Sequence, residues 1–313
     1  MLLGRTANGL YWMHRYIERA ENIARLVDTG HHVALTGDGD QIDSWTSILQ
    51  SAGAAGAFQA VHGQVDAQKA IDFMLRDESN SSSVLQCFET ARSNGRMVRT
   101  ALTREVWENI NTAWMNLKAA LSSPVDEKRL PELLNLIKRE TALIRGAFVG
   151  TMLRDERFDF ARLGTFIERA DNTARILDVK YYVLLPGTSW VGSALDTQQW
   201  ESILRSVSAH RSYRWVYDVR YKPANIIDFL VLNPRMPRSL AFCATNIVDN
   251  LDYLERDYGV RHACHDTAGE TLARLKATSA ADIIDKGLHE FLIEFISGNN
   301  KLGNDIADAY RFY

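Results

Sequence analysis

A near-copy of one helix-patterned segment recurs 150 residues along the chain. The first copy reads Tyr16-Ile17-Glu18-Arg19-Ala20-Glu21-Asn22-Ile23-Ala24-Arg25-Leu26-Val27-Asp28, the second Phe166-Ile167-Glu168-Arg169-Ala170-Asp171-Asn172-Thr173-Ala174-Arg175-Ile176-Leu177-Asp178. Eight of the thirteen positions are identical, and the shared residues include Glu, Arg, Asn, Arg and Asp. Packing alone would preserve apolar positions through a duplication. It has no reason to preserve a set of charges.

The match continues downstream. His31-His32-Val33-Ala34-Leu35 aligns with Tyr181-Tyr182-Val183-Leu184-Leu185. Trp45-Thr46-Ser47-Ile48-Leu49 aligns with Trp200-Glu201-Ser202-Ile203-Leu204 at an offset of 155. Ile71-Asp72-Phe73 aligns with Ile227-Asp228-Phe229 at 156, as do Ser83, Cys87 and Asn94 with Ser239, Cys243 and Asn250. The offset changes between segments, where loop insertions would fall. The order implies one domain over 1–313 built from two tandem repeats, about 1–150 and 151–313.

Nearly every segment carries apolar residues at three- and four-residue spacing, so the expected fold is an all-α multi-helix bundle of two pseudo-symmetric repeats. Helices are expected over 8–35, 42–62, 66–77, 82–120, 129–153, 159–185, 197–219, 224–232, 238–256, 267–276 and 280–311. Six prolines in 313 residues leave room for long helices. Breaks are expected at Gly37-Asp38-Gly39-Asp40, Ser122-Ser123-Pro124, Pro186-Gly187-Thr188 and Asn233-Pro234. Asn80 or Ser81 is a candidate cap for the next helix, and Asp126 for the one beginning near Pro131. Only Val216 to Tyr221 reads as a short strand.

At about 100° per residue, Glu18, Asn22 and Arg25 share one helix face, flanked by Glu21 and Asp28. Tyr16, Ala20, Ile23, Ala24 and Val27 form the opposite stripe, with Arg19 at its margin. Glu168, Asn172, Arg175, Asp178, Ala170, Ala174 and Arg169 repeat the layout. A solvated face tolerates Lys for Arg; a planar, bidentate contact does not. The two charged faces are therefore expected to meet or mirror each other across a pseudo-twofold axis. They would form a buried network that is either a ligand site or a structural lock. A second stripe, Arg92, Arg96 and Arg99, could face that network or hold a phosphate or carboxylate.

A net charge of −3 and a pI near 6.3 give no general attraction to nucleic acid or anionic lipid. Three cysteines favour a reducing, cytoplasmic setting over a disulfide framework. No apolar run is long enough for a membrane span, and charges interrupt the first residues as no signal peptide would allow. No phosphate-binding glycine loop or nucleophile elbow appears. His262-Ala263-Cys264-His265-Asp266 lacks the second ligand pair a zinc site needs, so no metal is expected. Cys87 and Cys243 read as small buried residues rather than nucleophiles.

Taken together, Leu10-Tyr11-Trp12, Arg15 to Asn22, the Asn80 to Val84 turn, the Arg92 to Arg99 segment and Trp107-Glu108 with Asn111 resemble the bacterial alpha-E family. Arg154-Asp155-Glu156, Leu163-Gly164, Ile167 to Asp171 and Pro237-Arg238-Ser239 extend the resemblance over essentially the whole chain. Ser81 and Gly95 depart from the family's usual Pro and Ala without removing a charge. The resemblance implies an all-helical protein encoded beside, or fused to, a circularly permuted ATP-grasp protein, often with a transglutaminase-like protease. ATP-grasp enzymes activate carboxylates as acyl phosphates and join them to amines. The implied role is thus an accessory or substrate-presenting subunit in peptide ligation or modification, acting on a peptide or amino acid. ATP and Mg would be bound by the partner, with no cofactor on this chain. The alternatives are an enzyme with Glu18 or Glu168 as general base, or a purely structural scaffold. Candidate substrate-binding residues are Arg19, Glu21, Asn22, Arg25, Arg92, Arg96, Arg99, Arg169, Asn172 and Arg175.

Overall fold

The computed structural model describes residues 2–36, 41–183, 194–217 and 220–313. The expected breaks at 37–40 and 186–188, and residues 184 and 185 of the match between 31–35 and 181–185, lie outside the described residues. Among those described, the chain forms α-helices and no strand. The strand expected from Val216 is not formed in its described part: Val216 ends a helix, and 218 and 219 lie outside the described residues.

Two long helices form the axis: α1 (Gly4–Thr36) and, far along the chain, α8 (Glu156–Val183). They pack on each other more extensively than any other pair. Both are buried on several sides at once, so their residues do not divide into one wet and one dry face. The crossing is close because Gly164 sits against the Tyr11 carbonyl. A Cβ at that glycine would lie 2.1 Å from the Tyr11 oxygen.

The flanking helices run in a similar order in the two halves, the second having one more. The first half has α2 (Gln41–Ser51), α3 (Ala55–His62), α4 (Ala67–Leu75), α5 (Val84–Met97), α6 (Arg104–Ala120) and α7 (Leu130–Thr151). The second has α9 (Ala194–Ser206), α10 (His210–Val216), α11 (Pro223–Ile227), α12 (Leu240–Tyr258), α13 (Ala263–Ala277), α14 (Ala280–Lys286) and α15 (Leu288–Ala309). α5 packs on α1 as α12 packs on α8. α2 crosses to α8 and α9 crosses to α1, so the halves interlock.

Four helices expected as single runs are broken, the 280–311 run at Gly287 (φ 99) between α14 and α15. The 42–62 run bends at Gly53 (φ 67) and the 197–219 run at Ser208 (φ 54), matched positions at an offset of 155. Glycine enters this left-handed conformation freely, whereas serine carries a Cβ cost there. The 82–120 run breaks after Met97, through a short 3₁₀ turn (Arg99–Ala101), before Thr103 caps α6. Periodicity continues across these breaks, so spacing alone does not reveal them.

Two capping expectations are corrected. Ser83, not Asn80 or Ser81, accepts the Gln86 amide and starts α5, just as Ser239 starts α12 through Phe242. Asn80 instead anchors the turn, donating to the Phe73 carbonyl and accepting from the Ser82 amide. Asp126 caps only the local turn at Lys128, and α7 begins at Leu130 with Arg129 at the N-cap and no side-chain cap.

Candidate functional site: a crossed Glu–Arg lock

The Glu-Arg dipeptides of α1 and α8 exchange partners. Arg169 donates to both Glu18 carboxylate oxygens, Nε to Oε1 at 2.8 Å and Nη2 to Oε2 at 2.9 Å. Arg19 does the same to Glu168, at 2.6 and 3.0 Å. Both contacts are bidentate forks, the geometry in which lysine cannot replace arginine. The two matched segments therefore touch through Glu18–Arg169 and Arg19–Glu168, glutamate against arginine, rather than through the Glu18, Asn22 and Arg25 face meeting the Glu168, Asn172 and Arg175 face. The residue that helix angles set at the apolar margin, Arg19 or Arg169, is the one that reaches the opposite helix.

Further arginines converge. Arg15 donates to Glu168 at 2.9 Å. Arg238, in the turn before α12, donates to Glu18 and Asn22 at 3.1 Å each and to Glu21 at 2.7 Å. Arg145 of α7 pairs with Glu21 and approaches Glu18 at 3.6 Å. Arg25 closes on Glu21 one helical turn away, and Arg175 likewise closes on Asp171 at 2.6 Å. Glu18, Glu21, Asn22, Glu168, Arg169, Asn172 and Arg238 are all buried.

Charge pairing outweighs desolvation here. Burial alone would raise the Glu18 and Glu168 carboxyls, yet the surrounding guanidiniums hold both well below the usual range. Burial raises Glu21 too, but Arg238, Arg145 and Arg25 bring it down to about 2. Arg238 moves the other way, to about 10. Burial penalises its charge, and Arg25 and Arg169 add repulsion against the pull of Glu18 and Glu21. Around the Glu18 half of the lock, cations outnumber carboxylates.

Sequence reading missed Arg15, Arg145 and Arg238 as site residues, although Arg15 and Arg238 lie in family-like segments. The available signal was charge balance, since the buried carboxylates of α1 and α8 require donors from elsewhere. The Arg92, Arg96 and Arg99 stripe does not join the lock. Arg92 bonds Asn111 at 2.8 Å and lies 4.3 Å from the Trp114 ring, and Arg99 stacks on Trp107. Arg96 is exposed on α5.

Cys87 and Cys243 lie fully buried near the two crossed pairs, their thiols pushed up to about 12 by burial. They are inert there. His265 is buried with its ring bonded to backbone at His262 and Leu251, a structural role for the histidine-rich turn. The described residues contain no grouping able to hold a metal ion. No described helix is long and apolar enough to cross a membrane.

A family model, Alpha-E, described as a predicted alpha-helical domain with a conserved ER motif, matches residues 2–310. No curated protein and no solved structure matches the chain. The chain has Glu-Arg at Glu18-Arg19 and at Glu168-Arg169, the two dipeptides that cross-pair.

Proposed function

Because the chain belongs to the Alpha-E family, we propose that it is an accessory, substrate-presenting subunit of an ATP-grasp-dependent peptide-ligation or peptide-modification system. The observation that carries its non-catalytic share is the saturation of Glu18 and Glu168. Each carboxylate accepts a bidentate arginine and at least one further arginine donor. A general base must be able to take a proton near neutral pH. These two glutamates are stabilised as anions and have no spare face toward solvent, so a base role for either is disfavoured.

The lock instead fixes α1 against α8 and holds the surrounding arginines in place. Its edge reaches solvent at Arg145, whose side chain is 38% exposed, and at the half-buried Arg25. A substrate carboxylate would be held at that edge while the partner, carrying ATP and Mg, converts it to an acyl phosphate. An amine then attacks the acyl carbon and phosphate leaves. The partner side of this reading rests on the family resemblance.

The test is co-purification with a circularly permuted ATP-grasp protein of the kind the resemblance implies, followed by peptide-product formation with and without this chain. A stable complex and a product yield that depends on this chain are expected. Full ligase activity without it, together with no complex, would defeat the proposal.

A further inference from the structure

The two halves carry matched surface clefts that differ sharply in charge. One, of about 440 Å³, is lined by Arg175 and Asp178 of α8, Gln50 and Gly53 of the α2 end, and Ala55 and Gly56 of α3. The other, of about 480 Å³, has Arg25 and Asp28 of α1, Arg205 and Ser208 of the α9 end, and His210 and Arg211 of α10. The offset of 155 pairs Gln50 with Arg205, Gly53 with Ser208, Ala55 with His210, and Gly56 with Arg211. The first cleft is thus an internal control for the second. The same architecture occurs with three of these positions neutral and with the same three basic or titratable.

The basic cleft has donors to spare. Lys138 of α7 also lines it and bonds Asp28 at 2.8 Å through one of its three N–H groups. Arg205 spends Nε and Nη2 on a single Glu201 oxygen. Arg211 is exposed and has no carboxylate partner among the described residues. Thr29, Ser202 and Ser206 also line it, but each hydroxyl donates to a carbonyl of its own helix, so the free donors are those of the cationic side chains.

Behind the cleft, Arg25 connects it to the lock: it bonds Glu21 and also Ser208 across the halves. Among the described residues, the cleft and the connected network hold seven cations, Arg25, Lys138, Arg145, Arg169, Arg205, Arg211 and Arg238. Four carboxylates oppose them, at Glu18, Glu21, Asp28 and Glu201. An excess of positive charge is compensated most directly by a bound anion. The volume falls in the range of small-ligand sites.

From this contrast we infer that the Arg25/Lys138/Arg205/Arg211 cleft is a binding site for an oxyanion ligand, the carboxylates of an acidic peptide or a small phosphate. The matched cleft beside Arg175 is not one. Arg211 and Arg205 form the outer clamp, and Lys138 and Arg25 the inner one. The inference concerns the chain alone, so it stands or fails independently of any ligase partner.

The test is calorimetric titration of the full chain with triglutamate and, separately, with inorganic pyrophosphate. Saturable binding of at least one probe, weakened by added salt, is expected. Tighter binding of triglutamate identifies a peptide carboxylate, and tighter binding of pyrophosphate a phosphate. Arg205→Gln, His210→Ala and Arg211→Gly together copy the neutral cleft and should weaken binding about 10-fold or more, the loss expected when charge-assisted donors are removed. Arg211→Glu, a surface change that leaves the core untouched, should do the same and decides the matter if the triple variant fails to fold. Absence of saturable binding by both probes, or binding unchanged in Arg211→Glu, would overturn the inference.

Discussion

Glu18→Gln is the sharpest perturbation of the lock, because it removes one charge while preserving shape. In the native protein the Glu18 carboxylate neutralises Arg169 at 2.8 and 2.9 Å and Arg238 at 3.1 Å, with Arg145 at 3.6 Å. The side chains of Arg169 and Arg238 are only 9% and 8% exposed, so water cannot replace the lost partner. The new amide also turns an N–H toward a guanidinium. Removing one member of a buried pair costs about 3–5 kcal/mol. Glu168→Gln strands Arg15 and Arg19, which are 12% and 25% exposed and can partly rehydrate. Its cost should be roughly half as large, since solvent screens what burial does not.

Equilibrium urea unfolding at neutral pH, followed by far-UV circular dichroism, reads both values from the shift in midpoint at constant slope. A cycle with Arg169→Gln should return a coupling of at least about 1 kcal/mol between residues 18 and 169. A loss below about 1 kcal/mol for Glu18→Gln would refute the idea of a buried lock. Equal losses for the two glutamates would refute the asymmetry argued from their neighbours.

Gly164→Ala should force α1 and α8 apart at the Tyr11 carbonyl, costing about 1–3 kcal/mol or more by overpacking and loosening both crossed pairs. Urea unfolding gives the loss, and hydrogen exchange at Arg19 and Arg169 shows whether the lock opens with it. Two buried carboxyls should make stability depend on pH in opposite directions. On the acid side Glu21 titrates at about 2 when folded against an ordinary 4.5, so the unfolded chain takes up protons first and stability is lost as pH falls between those values. On the other side Asp159 is raised to about 7 by burial and by Asp257 and Asp155. There the folded state holds the extra proton, and stability declines as pH rises from 3.8 toward 7. Asp159→Asn should therefore raise the melting temperature at about pH 8 and leave it nearly unchanged at about pH 4. An equal shift at both values would show that Asp159 acts through packing rather than charge.

The helical class and the importance of the Glu18 and Glu168 segments were legible because both are local. A 3.6-residue period identifies helices, and an unusual conservation of charge between two segments identifies a constrained contact. The helix angles misdirected the pairing, because an angular projection assumes one wet face and one dry face. α1 and α8 have several buried faces, with α5, α7 and α9 all on α1. A residue at the apolar margin, such as Arg19, can then be the one that crosses. Arg145 and Arg238 were illegible for a different reason. They come from distant segments, and only the fold brings them to Glu18 and Glu21.

The same contrast separates what the halves share from what they do not. The crossed pairs recur because each half supplies the partner of the other: a change in Glu18 strands Arg169, and one in Arg169 strands Glu18. Nothing of this kind ties Arg205, His210 and Arg211 to Gln50, Ala55 and Gly56, which line separate clefts. Reciprocal burial constrains the lock toward symmetry, while the solvent-facing clefts are free to diverge. A ligand-binding role therefore belongs where the halves differ, at the basic cleft, and a structural role belongs where they agree. The repeated Glu-Arg dipeptide marks the scaffold that positions Arg25, and Arg25 is the residue through which that scaffold reaches the cleft.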